Sequence, residues 1–262
     1  MSLTVTIDFH DTLFRCDEWF ALEVRDLPVA FLDWLDARHG RTPDDESRTR
    51  IDSAYRDLRR EIKEHGCEDD ARGCLRQVFG RTGISVSDDD LSDGVDALFT
   101  ALPDATPLPG SMAALVELNR RGVTVGIISS AIHTPYLHRS VERAGFGPFI
   151  SRIATSASTG YYKTRSEIYT SALIVLGADA ARTIHVGDSL AYDVAGAARA
   201  GMRTAWLSHG QTRTSDDPEP DLTLVDWDGA AERIIGTFDR LTASATGSKP
   251  GPPAHVDLGT GQ

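Results

Sequence analysis

Four short stretches of the chain place acidic, basic or hydroxyl side chains at the ends of apolar runs. Asp8 lies near the end of the run at 3–9, with His10, Asp11 and Thr12 behind it. Ser129 and Ser130 close a second run, 123–129. Lys163 precedes a helix-like pattern over 165–176, and Asp188 follows a third run, 183–186, with Asp193 five residues later. Brought to one crevice, three carboxylates, one lysine and a serine pair suit a divalent cation and a phosphate. Carboxylate oxygens are the hard ligands that Mg²⁺ takes, and Mg²⁺ with a lysine neutralises phosphoryl oxygens. A single strand-end carboxylate such as Asp193 has a plainer use as a helix cap.

Such a crevice needs a sheet. Runs rich in β-branched and apolar residues predict strands at 3–9, 123–129, 183–186, 204–207 and 222–225. Helical patterns fall between them at 112–121, 165–176 and 190–200, the last two closing near Gly177 and Gly201. Strands alternating with helices of this length predict an α/β fold with a Rossmann-like, mostly parallel sheet, which binds ligands at the carboxyl ends of its strands. Residues 15–105 break the rhythm with four amphipathic segments, 17–38, 44–64, 70–80 and 88–101, and no strand-like run. They read as a helical domain inserted after the first strand, between the two parts of a core at 1–14 and 106–240. The proline-rich stretch 103–110 marks the return to that core. From 243 onward Gly, Pro, Ser and Thr dominate, so 241–262 is expected to be a disordered tail.

Composition narrows the function. The 262 residues carry a formal charge of -12, which disfavours nucleic acid and anionic membrane as partners. No apolar run reaches the ~20 residues of a membrane span, and the acidic start does not read as a signal peptide. The three cysteines, Cys16, Cys67 and Cys74, are expected to be free thiols in a reducing cytoplasm. His65, Cys67 and Cys74 lack the paired spacing of a metal site and read as helix surface. A cytoplasmic monomer or homodimer is expected, and 24 arginines against three lysines point to a GC-rich bacterial coding sequence.

The four stretches together resemble the haloacid dehalogenase (HAD) superfamily, most of whose members are Mg²⁺-dependent phosphatases. DFHDTL (8–13) resembles its first motif, D-x-D-G-T-L, and VGIISS (125–130) its second, a strand ending in Ser or Thr. YYKTRSEIY (161–169) resembles the third, a lysine loop, and HVGDSLAYDVAGAARAGM (185–202) closely matches the fourth, G-D-x-x-x-x-D before a small-residue helix. The inserted helices fall where family members of this type carry a cap. The resemblance implies that Asp8 is the nucleophile and forms an aspartyl-phosphate. It implies that Ser129 hydrogen-bonds the phosphoryl group and that Lys163 compensates charge. Mg²⁺ would be held by Asp8, the His10 backbone carbonyl, Asp188 and, directly or through water, Asp193. Thr12, Ser130 and Arg15 join Ser129 and Lys163 as expected contacts of a small phosphorylated metabolite.

His10 departs from the pattern, because most family phosphatases carry there the Asp that protonates the leaving oxygen and activates water. Three readings stay open. Histidine takes over as acid and base, which its unperturbed pKa of ~6.5 permits. The scaffold performs phosphonate or haloacid hydrolysis, against which stand Asp188 and a lone insertion lysine, Lys63, that reads as a solvated helix end. Or the protein binds a phosphorylated ligand and turns it over weakly. Asp11 replaces the motif's glycine, and Asx residues accept turn geometry. Trp19 and Phe20 read as interior of the insertion and His133 as a loop histidine. The insertion's 22 acidic against 13 basic residues over 15–104 point to a small substrate bearing an amine or hydroxyls.

Overall fold

The structure is a computed structural model describing residues 3–42 and 44–246. Strand β1 (Thr4–Ile7) is buried along its whole length, as a central strand covered on both faces must be. A two-residue strand β2 (Phe14–Arg15) leads into the inserted helices. These are α1 (Asp17–Ala21), a π-helical turn over Leu22–Asp26, α2 (Leu27–Arg38), α3 (Asp45–His65), α4 (Ala71–Thr82) and α5 (Asp88–Ala101). Strand β3 (Thr106–Pro107) pairs antiparallel with β2 and closes the neck of the insertion. The remaining chain runs α6 (Ser111–Arg120), β4 (Thr124–Ser129), α7 (Thr134–Arg143), β5 (Arg152–Thr155), α8 (Ser156–Thr159) and α9 (Ser166–Leu176). It continues β6 (Thr183–Gly187), α10 (Ala195–Arg199), β7 (Arg203–Leu207), β8 (Leu222–Leu224) and α11 (Ala230–Thr246).

Among the described residues the main sheet has six parallel strands in the order β5-β4-β1-β6-β7-β8. The chain builds outward from β1 to one side through β4 and β5, then to the other through β6, β7 and β8. Ile7 pairs with Ile127 on one side and Val186 on the other. The register therefore delivers Asp8, Ser129 and Asp188 at one end of the sheet, beside the switch point where such folds bind ligands.

The inserted helices pack on one another, α3 against α4 and α2 against α3 and α5. The starts of α3, α4 and α5 are capped by Asp44, Asp70 and Ser87, whose side chains accept from backbone N–H groups in the first turn. The insertion meets the core along a defined seam. Glu68 N–H donates to Gly160 C=O (3.1 Å), Tyr162 N–H to Gly66 C=O (2.9 Å) and Ala71 N–H to Ile132 C=O (2.8 Å). Trp19 stacks on Tyr136 (5.6 Å, 6°) and meets Phe9 edge-on (5.9 Å), so one apolar cluster runs from core into insertion. No described helix is long and apolar enough to cross a membrane.

The expected strands and helices are present with ends shifted by a residue or two. β5, α7 and α11 were not expected, nor were the short β2, β3 and α8: β5 is only four residues with an exposed Arg152 at its head, and α7 begins at a Thr-Pro that reads as loop. Residues 190–200 start as a π-helical turn, Leu190–Val194, before α10. Residues 241–246, expected in the tail, continue α11, and 247–262 lie outside the described residues.

Candidate active site

Asp8 leaves β1 with its N–H donating to Val186 C=O (2.9 Å), so its backbone is part of the sheet. Lys163, buried in the loop before α9, reaches it: Nζ lies 2.5 Å from Asp8 Oδ1 and 2.6 Å from Asp193 Oδ1. The loop is positioned in turn by Lys163 N–H donating to Ser130 Oγ (3.2 Å). Asp193, on the π-helical turn, also accepts from Ser189 N–H (3.0 Å) and His185 Nε2 (3.1 Å). It packs so tightly over β6 that a Cβ at Gly187 would sit 2.1 Å from its carboxyl carbon. His185, wholly buried in β6, spans from Asp193 to Thr6 Oγ1 (2.9 Å from Nδ1). With Nε2 donating to the carboxylate, Nδ1 accepts from the Thr6 hydroxyl, and burial holds the ring neutral by lowering its pKa.

Asp188 follows the same strand. Thr12 Oγ1 donates to its Oδ1 (3.1 Å), and Trp206 Nε1 donates to its backbone carbonyl (2.8 Å). Burial, then the negative charges of Asp193 and Asp8, push the Asp188 carboxyl up to about 7. Burial also raises Asp8, against the pull of Lys163. Burial acts to raise Asp193 too, but Lys163 and His185 outweigh it and hold that carboxyl low.

Two carboxylates thus hold one ammonium and a third, Asp188, lies beside them, with an oxygen from each of Asp8, Asp188 and Asp193 within 4.8 Å of the others. A buried surplus of negative charge on hard oxygen ligands fits a divalent cation such as Mg²⁺. Asp8 and Asp188 retain acceptor capacity for it, whereas the Asp193 oxygens are committed to Lys163, His185 and Ser189.

These groups open onto a cavity of about 470 Å³. Its core side includes Asp8, His10, Ser129, Ser130, Lys163 and Asp188. His10 Nδ1 lies 3.2 Å from Cys16 Sγ and Nε2 3.4 Å from Asp11 Oδ2, while its ring stacks on Phe20 (4.5 Å, 9°). Asp11 adopts φ +51°, the left-handed conformation its side-chain type tolerates, and its carbonyl accepts from His209 Nε2 (2.6 Å).

Two expected contacts stand elsewhere. Arg15 points outward from β2 and pairs with Asp11 (3.3 Å), outside the cavity lining, because the strand turns Phe14 inward and Arg15 to solvent. Thr12 is buried and spent on Asp188. His133 stacks on Phe99 (3.9 Å) in a separate cavity of about 170 Å³, not in the cavity at Asp8, and burial lowers its pKa to about 4. Trp19 is interior as expected, but Phe20 is 44% exposed and forms cavity wall over His10. The three cysteines are free, with Cys16 and Cys74 buried.

Residues 4–201 match the family model for haloacid dehalogenase-like hydrolases, and the chain belongs to that family. It is similar to a ribulose-1,5-bisphosphate 5-phosphatase of Halopiger xanaduensis, 33% identical over 148 residues. That alignment covers 56% of this chain and 60% of the relative. It is also similar to a glyceraldehyde 3-phosphate phosphatase of Methanothermobacter thermautotrophicus, 27% identical over 124 residues, or 46% of this chain and 54% of the relative. The chain thus spans little more than half the length of these relatives. In fold it is similar to a 2-haloacid dehalogenase of Pseudomonas syringae pv. tomato, with TM-score 0.67, 21% identity, and coverage of 90% of this chain and 99% of that one.

Proposed function

We propose that this hydrolase is a cytoplasmic, Mg²⁺-dependent phosphatase of small phosphomonoesters, acting through an aspartyl-phosphate on Asp8 under a cap formed by the inserted helices. The observation that carries this reading is Lys163 held between Asp8 and Asp193 beside Asp188. Phosphatase names among the relatives support it. When bound by Asp8, the His10 carbonyl and Asp188, the cation offsets the charge of the phosphoryl oxygens.

The Asp8 carboxylate attacks phosphorus, the bond to the leaving oxygen breaks, and His10 gives that oxygen a proton. Lys163 and the Ser129 hydroxyl hold the phosphoryl oxygens throughout. His10 then takes a proton from water as the water oxygen attacks the aspartyl-phosphate, returning the Asp8 carboxylate and releasing phosphate. The Phe20 stack fixes the plane of the imidazole for both transfers.

Steady-state phosphate release from an aryl phosphate, with and without Mg²⁺, tests the reading. Asp8→Asn is expected to abolish release while far-UV circular dichroism stays that of the parent. Turnover surviving in Asp8→Asn would sink the assignment. His10→Gln is expected to slow release about 10²–10⁴-fold, the range for loss of a proton-transfer group. An undiminished rate would make His10 a bystander.

A further inference from the structure

The insertion is acid-rich, yet the face it turns into the cavity is not. Its contribution to the lining is Trp19, Phe20 and Val24, with two cations, Arg59 and Lys63, and no carboxylate. The sequence-based expectation is a small substrate bearing an amine or hydroxyls; two cations on this face disfavour the amine and leave the hydroxyls open. The two cations are four residues apart on α3 and so share one face. Like charges at that spacing repel one another, so the pair is not there to steady the helix.

Among the described residues Lys63 has no ion-pair partner, and Arg59 is only partly engaged. Among the described residues no carboxylate lies within 4 Å of the Lys63 ammonium. Arg59 is 6% exposed, and Glu68 pairs with its Nη1, but its Nε has no hydrogen-bond partner. Glu68 therefore balances the charge of Arg59 without exhausting its N–H donors, and Lys63 adds net positive charge beside them.

The position of the pair relative to the reacting centre is also fixed. The Arg59 guanidinium lies over the ring of Tyr162 (5.7 Å), the residue before Lys163. Tyr162 N–H donates to Gly66 C=O, where α3 ends in the left-handed conformation with φ +72°. One backbone contact thus ties the end of α3 to the lysine loop. A cavity of about 470 Å³ leaves room beyond a phosphoryl group for a leaving group that reaches α3.

We propose that Arg59 and Lys63 form a subsite for a second anionic group on the substrate, a carboxylate or phosphate carried by the leaving alcohol. The proposal rests on the phosphatase reading for what occupies Asp8. The chemistry asked of the pair is charge-assisted hydrogen bonding to oxyanion oxygens, the bidentate mode that arginine favours.

The test uses three esters on one carbon skeleton: propane-1,3-diol monophosphate, its bisphosphate, and the monophosphate whose free hydroxyl is oxidised to a carboxylate. With Mg²⁺ present, wild type is expected to favour one or both of the anionic compounds over the hydroxyl compound by about tenfold or more in kcat/KM. Lys63→Gln is expected to collapse that ratio through KM, and Lys63→Arg to restore most of it. Lys63 is exposed and unpaired among the described residues, so these variants keep the fold. The carboxylate and bisphosphate arms tell which anion the subsite takes. Equal kcat/KM for all three, or a preference untouched in Lys63→Gln, would overturn the subsite while leaving the phosphatase reading intact. If no ester is hydrolysed, that reading fails. Calorimetric titration of the Mg²⁺-loaded protein with the same three compounds then decides the subsite by whether Kd shows the anion preference and its loss in Lys63→Gln.

Discussion

The core gathers three carboxylates, Asp8, Asp188 and Asp193, around Lys163, whereas the insertion gathers two, Glu23 and Glu68, around Arg59. Both sets carry more negative than positive charge, and both are largely buried. They differ in how the surplus is met. In the core the surplus faces the cavity, where a cation and a phosphoryl group can enter. Lys163 and His185 keep Asp193 ionised, and the Asp188 carboxyl at about 7 is poised for replacement of its proton by metal. In the insertion, Glu23 and Glu68 are 1% and 3% exposed, and each keeps an oxygen, Oε2, without a hydrogen-bond partner. Burial, then the charge of Glu68, drives the Glu23 carboxyl well above the usual range. Glu23 and Glu68 lie outside the cavity lining, where burial pushes both carboxyls toward the protonated form, while Asp8 and Asp188 line the cavity and can exchange a proton for a ligand. Access to the cavity decides between the two, since an uncompensated buried charge is tolerated only where a partner can arrive.

Lys163→Met breaks the contrast most severely. It leaves Asp8 and Asp193 without their cation, so unfolding free energy in chelator is expected to fall by about 3–5 kcal/mol, as when a buried pair loses one member. Phosphate release is expected to vanish. Added Mg²⁺ should recover part of the stability and none of the activity. Urea denaturation with and without Mg²⁺ reads this out, and a midpoint unmoved in chelator would show that the core cluster bears no charge stress.

Arg59→Met is the corresponding cut in the insertion, with a smaller expected loss of about 1–3 kcal/mol, the cost of a buried group left unsatisfied. Burial already raises the Glu68 carboxyl, which eases its protonation once Arg59 is gone. Adding Glu68→Gln should return most of the loss in a double-mutant cycle. If the double variant is no more stable than Arg59→Met alone, the deficit comes from lost packing on Tyr162.

The two clusters also differ in how far the amino-acid sequence discloses them. Asp8, Ser129 and Asp188 are legible because an apolar run that stops at a polar residue marks the end of a buried strand, and parallel strands end together. His185 is not, because a polar residue inside a strand gives no sign that Thr6 and Asp193 will satisfy it. Glu23 and Arg59 were missed because charged residues on amphipathic helices are ordinarily solvated. A signal existed. Arg59 falls four residues after Tyr55 and three before Ile62, and Glu23 four after Trp19 and four before Leu27, so both sit on the apolar stripes of their segments. Arg15 shows the converse error: proximity in sequence to Asp8 says nothing about which side of a two-residue strand faces the site.

Glu23→Gln sharpens the contrast with the smallest effect. In the folded chain the Glu23 carboxyl titrates well above its ordinary 4.5, so the native state holds a proton that the unfolded chain releases near that pH. Between the two pKa values the native state binds more protons than the unfolded one, and stability falls as pH rises, by up to about 1.4 kcal/mol per unit. Glutamine cannot lose a proton and is free of this penalty. Ile132 N–H, which donates to the Glu23 carboxyl, still finds an acceptor in the amide oxygen. Denaturation at pH 4, where the carboxyl is largely protonated in the folded chain, is therefore expected to show variant and wild type within about 1 kcal/mol, the net worth of one hydrogen bond. At pH 7 the variant should lead. A difference that stays constant from pH 4 to 7 would mean that Glu23 is ionised beside Arg59 in the folded protein. The insertion would then store negative charge as the core does, and Lys63 alone would carry the positive potential of the α3 face.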